Sequence, residues 1–294
     1  MSDILLRSLL FVPSHNEKLI LSALKSNADV LLFDIEDSVQ PQSNKQIARD
    51  KIIENLKGSL FKDKIIFPRV NDRESGELLK DLMQLTIKGV HGFMYPKAKK
   101  AEDIYFIDKL LESIEFEKGF ELGTFKLIPL IETASAVLNI QEICKASNRV
   151  IAVAYGSEDF IADLEGIHDY DHNSLFTPRA IIAMGARASG VIPIDTVHIR
   201  VHDLEDLEEN LKVSKNLGFE GMLVLHPKEI DLVHKYYSPS PQNVEDAKKM
   251  LSMAEDAKKH GQGVTLKNGI FIGPPMIKAA KKILLKQNLI ERKK

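Results

Sequence analysis

Short runs of apolar residues recur along most of this chain, and most of them end in or beside a residue that can be ionised. The eight runs cover residues 5–13, 29–37, 64–71, 89–97, 125–133, 150–159, 193–201 and 219–227. Each run is nearly continuously apolar, which is typical of parallel strands that are buried on both faces. The pattern therefore predicts eight parallel strands.

Helical periodicity fills the gaps between these runs. Apolar residues three and four positions apart predict helices at residues 16–27, 43–57, 74–88, 100–118, 134–147, 177–190 and 204–217. Strands that alternate with helices indicate βα units. Eight such units favour a closed (β/α)8 TIM barrel, with an open doubly wound sheet as the alternative. No glycine-rich nucleotide-binding motif follows a strand, which weakens a dinucleotide or P-loop interpretation.

The chain continues beyond the eighth unit. We predict a barrel domain at residues 1–237 and a C-terminal helical and loop extension at residues 238–294. The extension should contain charged amphipathic helices and, at residues 261–275, a hairpin or extended loop. Two placements fit the pattern: the extension covers the barrel mouth or a neighbouring subunit, or it packs along the flank of the barrel.

Composition excludes several classes of protein without naming a function. The 294 residues are 44% hydrophobic and carry a formal net charge of −2, so no general attraction to nucleic acid is implied. The apolar runs are far shorter than the roughly 18–20 residues that span a bilayer, and the N-terminus has no signal-peptide pattern. The single cysteine, Cys144, excludes an internal disulfide and a cysteine-based zinc site. We expect a cytoplasmic protein that binds neither nucleic acid nor membranes.

Carboxylates end two neighbouring predicted strands. Glu132 ends the fifth apolar run and Asp159 ends the sixth. Because the C-terminal ends of barrel strands meet at one face, these side chains should lie close together. Two carboxylates can bind a hard cation such as Mg²⁺ and leave positions for water and substrate. The alternative is that each caps the helix that follows, but with Arg69 nearby a functional role is the better hypothesis.

Arg69, at the end of the third run, could hold a carboxylate or an enolate oxygen with paired donors. It could also form a structural salt bridge with Asp34, Glu36 or Asp37 on the second strand, and both roles can coexist. Lys97, after the fourth strand, either completes an anion pocket or extends to the surface.

Two further segments have a functional and a structural interpretation. His226, which precedes Pro227, could contact a ligand or serve as a structural hydrogen-bond donor. The turn at residues 14–18, after the first strand, could meet a phosphate-bearing ligand or form an ordinary helix N-cap.

The order and spacing of nine segments resemble the citrate lyase β-subunit-like proteins of the HpcH/HpaI aldolase superfamily, which include malyl-CoA, citramalyl-CoA and citryl-CoA lyases. The resemblance covers nearly all of the chain. Its segments are RSLLFVPSHNEK, LLFDIEDSV, FPRVN, YPKAKKAEDI, LIPLIETASAVLNI, AYGSEDFIADLEG, PRAIIAMGARASGVIPIDTV, LGFEGMLVLHPKEI and NGIFIGPPMIKAAKKIL.

The resemblance implies a (β/α)8 barrel that binds Mg²⁺ and cleaves or forms a carbon–carbon bond beside a thioester. The expected substrate is a 3-hydroxyacyl thioester, which splits into acetyl-CoA and a 2-oxo acid. The carrier is CoA or an acyl carrier protein, and the implied assembly is a homotrimer or homohexamer. Two alternatives stay open: an HpcH-type aldolase that acts on a free hydroxy-oxo acid, and a catalytically reduced CoA-binding homologue.

The same resemblance assigns roles to individual residues. Glu132 and Asp159 match the metal ligands, Arg69 matches the residue that contacts substrate, and Glu36 and Asp37 match acids that orient metal-bound water. The predicted substrate-binding and CoA-binding residues, which include Lys97 from its strand-end position, are Phe11, Lys18, Arg69, Lys97, His226 and Pro227.

One segment departs from the family pattern. Many relatives carry an aspartate near the C-terminus, in a G-K-M-[IV]-D-x-P pattern, that reaches a neighbouring subunit's site as an acid/base. The matching residues 269–275 read GIFIGPP here, so Gly273 stands at the position of that aspartate. Proton transfer would then need another group, such as a strand-two acid or water.

Overall fold

Ten strands and twelve α-helices are present in a computed structural model that describes residues 4–58, 61, 63–167, 173–259, 265–267 and 270–293. The strands are β1 (Ser8–Pro13), β2 (Val30–Asp34), β3 (Ile65–Ile66), β4 (Gly92–Tyr95), β5 (Lys126–Ile131), β6 (Ala152–Tyr155), β7 (Ile192–Asp195), β8 (Gly221–Val224), β9 (Thr265–Lys267) and β10 (Ile270–Ile272). Each of the eight predicted apolar runs overlaps one strand of the barrel, and β7 begins one residue before its run.

The helices alternate with the strands up to β8, with two helices after β5 and two after β6. They are α1 (Glu17–Leu24), α2 (Asn44–Lys57), α3 (Leu78–Leu85), α4 (Ala101–Lys118), α5 (Ala134–Leu138), α6 (Ile140–Lys145), α7 (Ser157–Asp163), α8 (Asn173–Ala188), α9 (Leu204–Leu217), α10 (Ile230–Tyr237), α11 (Pro241–Lys259) and α12 (Pro274–Lys293). The predicted helix at residues 134–147 is interrupted at Asn139, and α7 was not predicted. No helix within the described residues is long and apolar enough to cross a membrane.

The eight parallel strands form a barrel that closes through the segment around Arg69. The strands pair in the order β3-β2-β1-β8-β7-β6-β5-β4, and the backbone of Arg69 bridges both Asp34 and Met94. Arg69 donates its N–H to the Phe33 carbonyl at 2.9 Å, while Met94 donates to the Pro68 carbonyl at 2.9 Å. Proline has no N–H to donate, which fits the shortness of β3. The closed barrel is confirmed over the open sheet.

Side chains of the strands fill the interior of the barrel below the site. Strand residues are almost all fully buried, as expected for parallel strands covered by helices. Gly92 marks one of the tight places, because a Cβ there would lie 2.5 Å from Cε1 of Phe67 and 2.2 Å from the carbonyl oxygen of Lys126. The Phe67 ring therefore occupies the space that a side chain at position 92 would need.

The chain divides into two compact units, residues 6–234 and residues 4–5 with 235–294. The first unit is the barrel. In the second unit, α11 and α12 pack against each other and β9 pairs antiparallel with β10, in register from Ile270 with Lys267. This pairing places a two-stranded ribbon in the segment where a hairpin or extended loop was predicted.

Candidate active site

A cavity of about 420 Å³ opens at the carboxyl ends of the barrel strands. Its wall has an apolar part and a charged part, both within the unit formed by residues 6–234. The apolar part consists of Phe11, Pro13, Leu130, Val197, Leu223 and Leu225, and the charged part consists of Asp34, Asp37, Arg69, Glu132, Glu158 and Asp159. A cavity with an apolar wall and a few converging charged groups is the usual form of a small-molecule site.

Glu132 and Asp159 line the same cavity, as their positions in the sequence predict. Glu132 directly follows β5, but Asp159 does not end a strand: β6 ends at Tyr155, and Asp159 lies in the first turn of α7. The prediction that Asp159 ends strand six was therefore wrong in detail, because residues 156–158 lie between the end of β6 and Asp159. A helix N-terminus also carries a partial positive charge that favours a carboxylate there.

The surroundings of Glu132 fit a bound divalent cation. Glu132 is 2% exposed, and its Oε2 accepts a 2.8 Å hydrogen bond from the backbone N–H of Lys97. Burial, together with the charges of Glu36 and Asp159, raises the pKa of Glu132 to about 8. No cluster of three or more potential ligands occurs among the described His, Cys, Asp and Glu residues. Two carboxylates leave most positions of an octahedral cation to water and substrate, as Mg²⁺ prefers.

Gly156 gives Glu132 the room that it needs. A Cβ at position 156 would lie 2.5 Å from Cγ of Glu132 and 3.0 Å from its Oε1. The backbone of Gly156 has φ −101° and ψ 88°, with no left-handed component, so the obstacle to a larger residue is steric. Gly156 is thus required by the position of the neighbouring carboxylate.

Gly156→Ala is therefore expected to displace the Glu132 carboxylate and weaken Mg²⁺ binding by about tenfold or more, as small shifts of metal ligands do. The barrel should still fold, because alanine accepts this backbone conformation. Calorimetric titration with Mg²⁺ and a thermal melt would measure the two effects. Gly166→Ala is the matched control, since a Cβ there would meet its nearest atom at 3.6 Å. Unchanged Mg²⁺ affinity in Gly156→Ala would contradict the expectation.

Arg69 is held by three acids at the mouth of the barrel. Its Nε and Nη2 each donate to Asp34, both at 2.8 Å, and its Nη1 donates to Asp37 at 3.2 Å. The same Nη1 lies 2.9 Å from Oε2 of Glu36. The guanidinium carbon is 4.9 Å from the centre of the Phe11 ring, so one face of the cation is covered by an aromatic side chain. The predicted salt bridge is thus present, and Arg69 also lines the cavity.

Glu36 is buried between two cations. One carboxylate oxygen lies 2.9 Å from Nη1 of Arg69, and the other lies 2.9 Å from Nζ of Lys97. Burial raises the pKa of Glu36 to about 7, although both cations oppose that shift. Asp37 is different, because its side chain is 59% exposed and contacts Arg69 at the cavity edge. The predicted role of both acids in orienting metal-bound water stays a prediction.

Asp34 anchors the Arg69 guanidinium and should contribute to stability. Burial opposes its ionisation, but the charge and hydrogen bonds of Arg69 outweigh burial and lower the pKa of Asp34. A lowered pKa means that this stability is present above about pH 4 and is lost as the pH falls through the folded-state pKa. Asp34→Asn should therefore cost about 3 to 5 kcal/mol of unfolding free energy at pH 7, and less at pH 3. Urea unfolding at both pH values checks this; an equal loss at both would contradict it.

The remaining predicted binding residues do not line the cavity, apart from Phe11. Lys18 is exposed on α1, where its backbone N–H donates to the Asn16 side chain, so the turn at residues 14–18 forms the helix N-cap that was the alternative interpretation. His226 and Pro227 are half-buried after β8, and Nδ1 of His226 accepts from the N–H of Lys228 at 3.1 Å. Their assignment to a CoA-binding surface stays a prediction.

Sequence reasoning missed several residues that shape the site. Asp34 was considered as a partner of Arg69 but was not ranked among the site residues, and Gly156 was not considered. Apart from Phe11, the apolar wall was not predicted, because its members are ordinary residues of the apolar runs. One signal was available for Asp34, since it directly ends the second run and precedes two further acids.

The family model described as HpcH/HpaI aldolase/citrate lyase matches residues 7–227. The chain belongs to this family. It is similar to citrate lyase subunit beta from Haemophilus influenzae, with 32% identity over 278 residues that cover 95% of both chains. L-malyl-CoA/beta-methylmalyl-CoA lyase from Cereibacter sphaeroides is 28% identical and covers 97% of this chain and 95% of its own.

A solved structure of a family member resembles the barrel. The citrate lyase beta subunit from M. tuberculosis, complexed with oxaloacetate and magnesium, is 25% identical and has a TM-score of 0.65. It covers 81% of this chain and 99% of its own. Family membership makes this HpcH/HpaI protein a lyase, as the resemblance in its sequence implies.

Proposed function

We propose that this family member is a Mg²⁺-dependent carbon–carbon lyase that cleaves or forms a 3-hydroxyacyl-CoA thioester. The products of cleavage would be acetyl-CoA and a 2-oxo acid, and malyl-CoA, citramalyl-CoA and citryl-CoA are the candidate substrates. The observation that carries the proposal is the meeting of Glu132, Asp159 and Arg69 at one cavity. The names of the relatives, a malyl-CoA lyase and a magnesium-bound citrate lyase subunit, support it.

Glu132 and Asp159 would hold the cation, which, when bound, supplies Lewis-acid polarisation of the substrate's oxygens. In cleavage the substrate hydroxyl gives its proton to a strand-two acid or to water, the carbon–carbon bond breaks, and its electron pair moves to the thioester fragment. Negative charge then develops on the thioester oxygen, where the Arg69 guanidinium can donate hydrogen bonds. Because three acids and the Phe11 ring fix this guanidinium, little reorganisation is needed as the charge forms.

The chain supplies no carboxylate at position 273 for the final protonation of the acetyl fragment. Gly273 is buried at the start of α12, where its carbonyl accepts hydrogen bonds from the N–H groups of Met276 and Ile277. We propose that a strand-two acid or water moves this proton instead. Glu36 and Asp37 are the two acids beside Arg69 that could do so.

The direct test is to incubate the purified protein with each of the three acyl-CoA substrates and to follow acetyl-CoA by mass spectrometry, with and without EDTA. We expect cleavage of at least one substrate that requires Mg²⁺. Activity on free hydroxy-oxo acids without CoA binding would favour the HpcH-type aldolase instead. Acyl carrier protein thioesters, tested in parallel, decide which carrier is used. CoA binding with no product over many hours would indicate a catalytically reduced homologue.

We propose a homotrimer or homohexamer as the functional assembly. The support is the resemblance to the family, although the aspartate that many relatives deliver to a neighbouring subunit is replaced here by Gly273. Light scattering of the purified protein distinguishes a monomer from either assembly.

A further inference from the structure

Lys97 holds a backbone conformation that is rare for its residue type. It follows β4 by two residues and has φ +54°, in the left-handed region. Among the non-glycine residues that the structure describes, it shares a positive φ with Glu165 alone. Such conformations cost on the order of 1 kcal/mol or more, and they persist where surrounding contacts fix them.

The contacts of Lys97 reach three other strand ends. Its backbone N–H donates to Oε2 of Glu132 at 2.8 Å, after β5. Its Nζ lies 2.9 Å from Oε1 of Glu36, after β2, and 3.2 Å from Oδ2 of Asp72. Asp72 is itself fixed, because its Oδ1 accepts from the backbone N–H groups of Glu74 and Ser75. Lys97 therefore connects a metal-ligand candidate with an acid that contacts Arg69.

We propose that Lys97 is a positioning residue of this site and does not contact substrate. Its backbone N–H orients Glu132, and its ammonium holds Glu36 against Arg69. The cavity wall does not include Lys97, and two carboxylates already engage its ammonium. This proposed role differs from the substrate-binding or CoA-binding role that the sequence predicts for Lys97. The tests that measure turnover rest on the proposed lyase activity. The test that measures Mg²⁺ affinity rests only on Mg²⁺ binding.

The proposed role of the Lys97 ammonium is tested by Lys97→Met, which keeps most of the side chain and removes the charge. We expect kcat to fall about 10- to 100-fold, the usual effect of losing a group that orients a metal site, with KM within threefold. Lys97→Arg should recover most of the loss because it restores a cation beside Glu36. Lys99→Met, at an exposed lysine two residues away, is the matched control. A raised KM with unchanged kcat would show that Lys97 binds substrate and would overturn the proposal.

A double-mutant cycle shows whether the ammonium acts through Glu36. In a Glu36→Gln background, Lys97→Met should lower kcat less than threefold further, since residues that act as one unit are not additive. If the losses of kcat in Lys97→Met and Glu36→Gln multiply in the double variant, Lys97 acts independently of Glu36. The proposal that its ammonium acts through Glu36 would then fail. Circular dichroism and thermal melts of each variant separate these effects from loss of folded protein.

The proposed role of the Lys97 backbone N–H in orienting Glu132 is tested by comparing Lys97→Gly with Lys97→Val. Both remove the ammonium, but glycine accepts the left-handed conformation and the β-branched valine does not. Valine should therefore move the N–H away from Glu132 and weaken Mg²⁺ binding about tenfold relative to glycine, measured by calorimetry. Equal affinities would overturn this half. Absence of turnover in the wild-type protein would refute the proposed function but leave this comparison intact.

Discussion

Glu132→Gln is expected to abolish measurable Mg²⁺ binding and to lower lyase turnover by about 1000-fold or more. Glutamine presents one neutral carbonyl oxygen in place of a carboxylate, and Lewis-acid catalysis is worth several kcal/mol of transition-state stabilisation. The fold should survive, because the amide carbonyl can still accept the hydrogen bond from the Lys97 backbone. Calorimetry with Mg²⁺ and the acetyl-CoA assay measure the two losses.

Stability separates a metal-ligand role for Glu132 from a structural one. Burial already opposes the charged carboxylate and raises the pKa of Glu132 to about 8. The neutral glutamine should therefore make the metal-free protein more stable than the wild type above about pH 4.5, by a margin that grows as the pH rises and levels off above about pH 8. Glu142→Gln, at an exposed glutamate on α6, is the control and should change nothing. Full Mg²⁺ affinity in Glu132→Gln would remove Glu132 from the metal site.

Arg69→Lys is expected to lower kcat about 100- to 1000-fold, the usual effect of removing a donor from a developing oxyanion. Lysine keeps the positive charge but loses the planar fork that binds both oxygens of Asp34 while facing Glu36 and Asp37. Single-turnover kinetics with saturating acyl-CoA measure the loss in the chemical step.

The same substitution will also destabilise the protein, so a control must share that effect. Arg7 offers one: it is buried at the opposite end of the barrel and binds Asp29 through Nε at 2.7 Å and Nη2 at 2.8 Å. Arg7→Lys should lower the melting temperature comparably and leave kcat of the folded protein unchanged. If kcat falls by the same factor in Arg7→Lys and in Arg69→Lys, Arg69 has no special part in the chemistry.

The barrel and the charged half of the site could be predicted from sequence because both follow from strand periodicity. Parallel strands place their carboxyl ends at one face, so Glu132 and Arg69 had to lie near each other once the strands were located. Asp159 reached the same cavity for a different reason, from the first turn of α7. The apolar residues end at Tyr155 with β6, so Asp159 lies beyond the strand, in a short helix that was not predicted.

Other features depend on distances that no pattern in the chain encodes. Lys97 was predicted to bind a ligand or to extend to the surface, and its ammonium faces Glu36 and Asp72, which lie in the segments after β2 and β3. Gly156 reads as an ordinary turn glycine until the side chain of Glu132 is seen beside it. Likewise, His226 and Pro227 belong to the eighth predicted run, but β8 ends at Val224 and the cavity wall there is formed by Leu223 and Leu225.

Because the barrel closes at Arg69, local opening of the hydrogen bonds between the strands there should affect catalysis. The backbone of Arg69 bridges Asp34 on one side and Met94 on the other, so its guanidinium is aimed at the cavity only while these hydrogen bonds hold. Each transient separation of β2 from β4 would carry the arginine away from Glu132 and Asp159. Native-state hydrogen exchange at the amides of Arg69 and Met94 then measures how much of the time the active site is assembled.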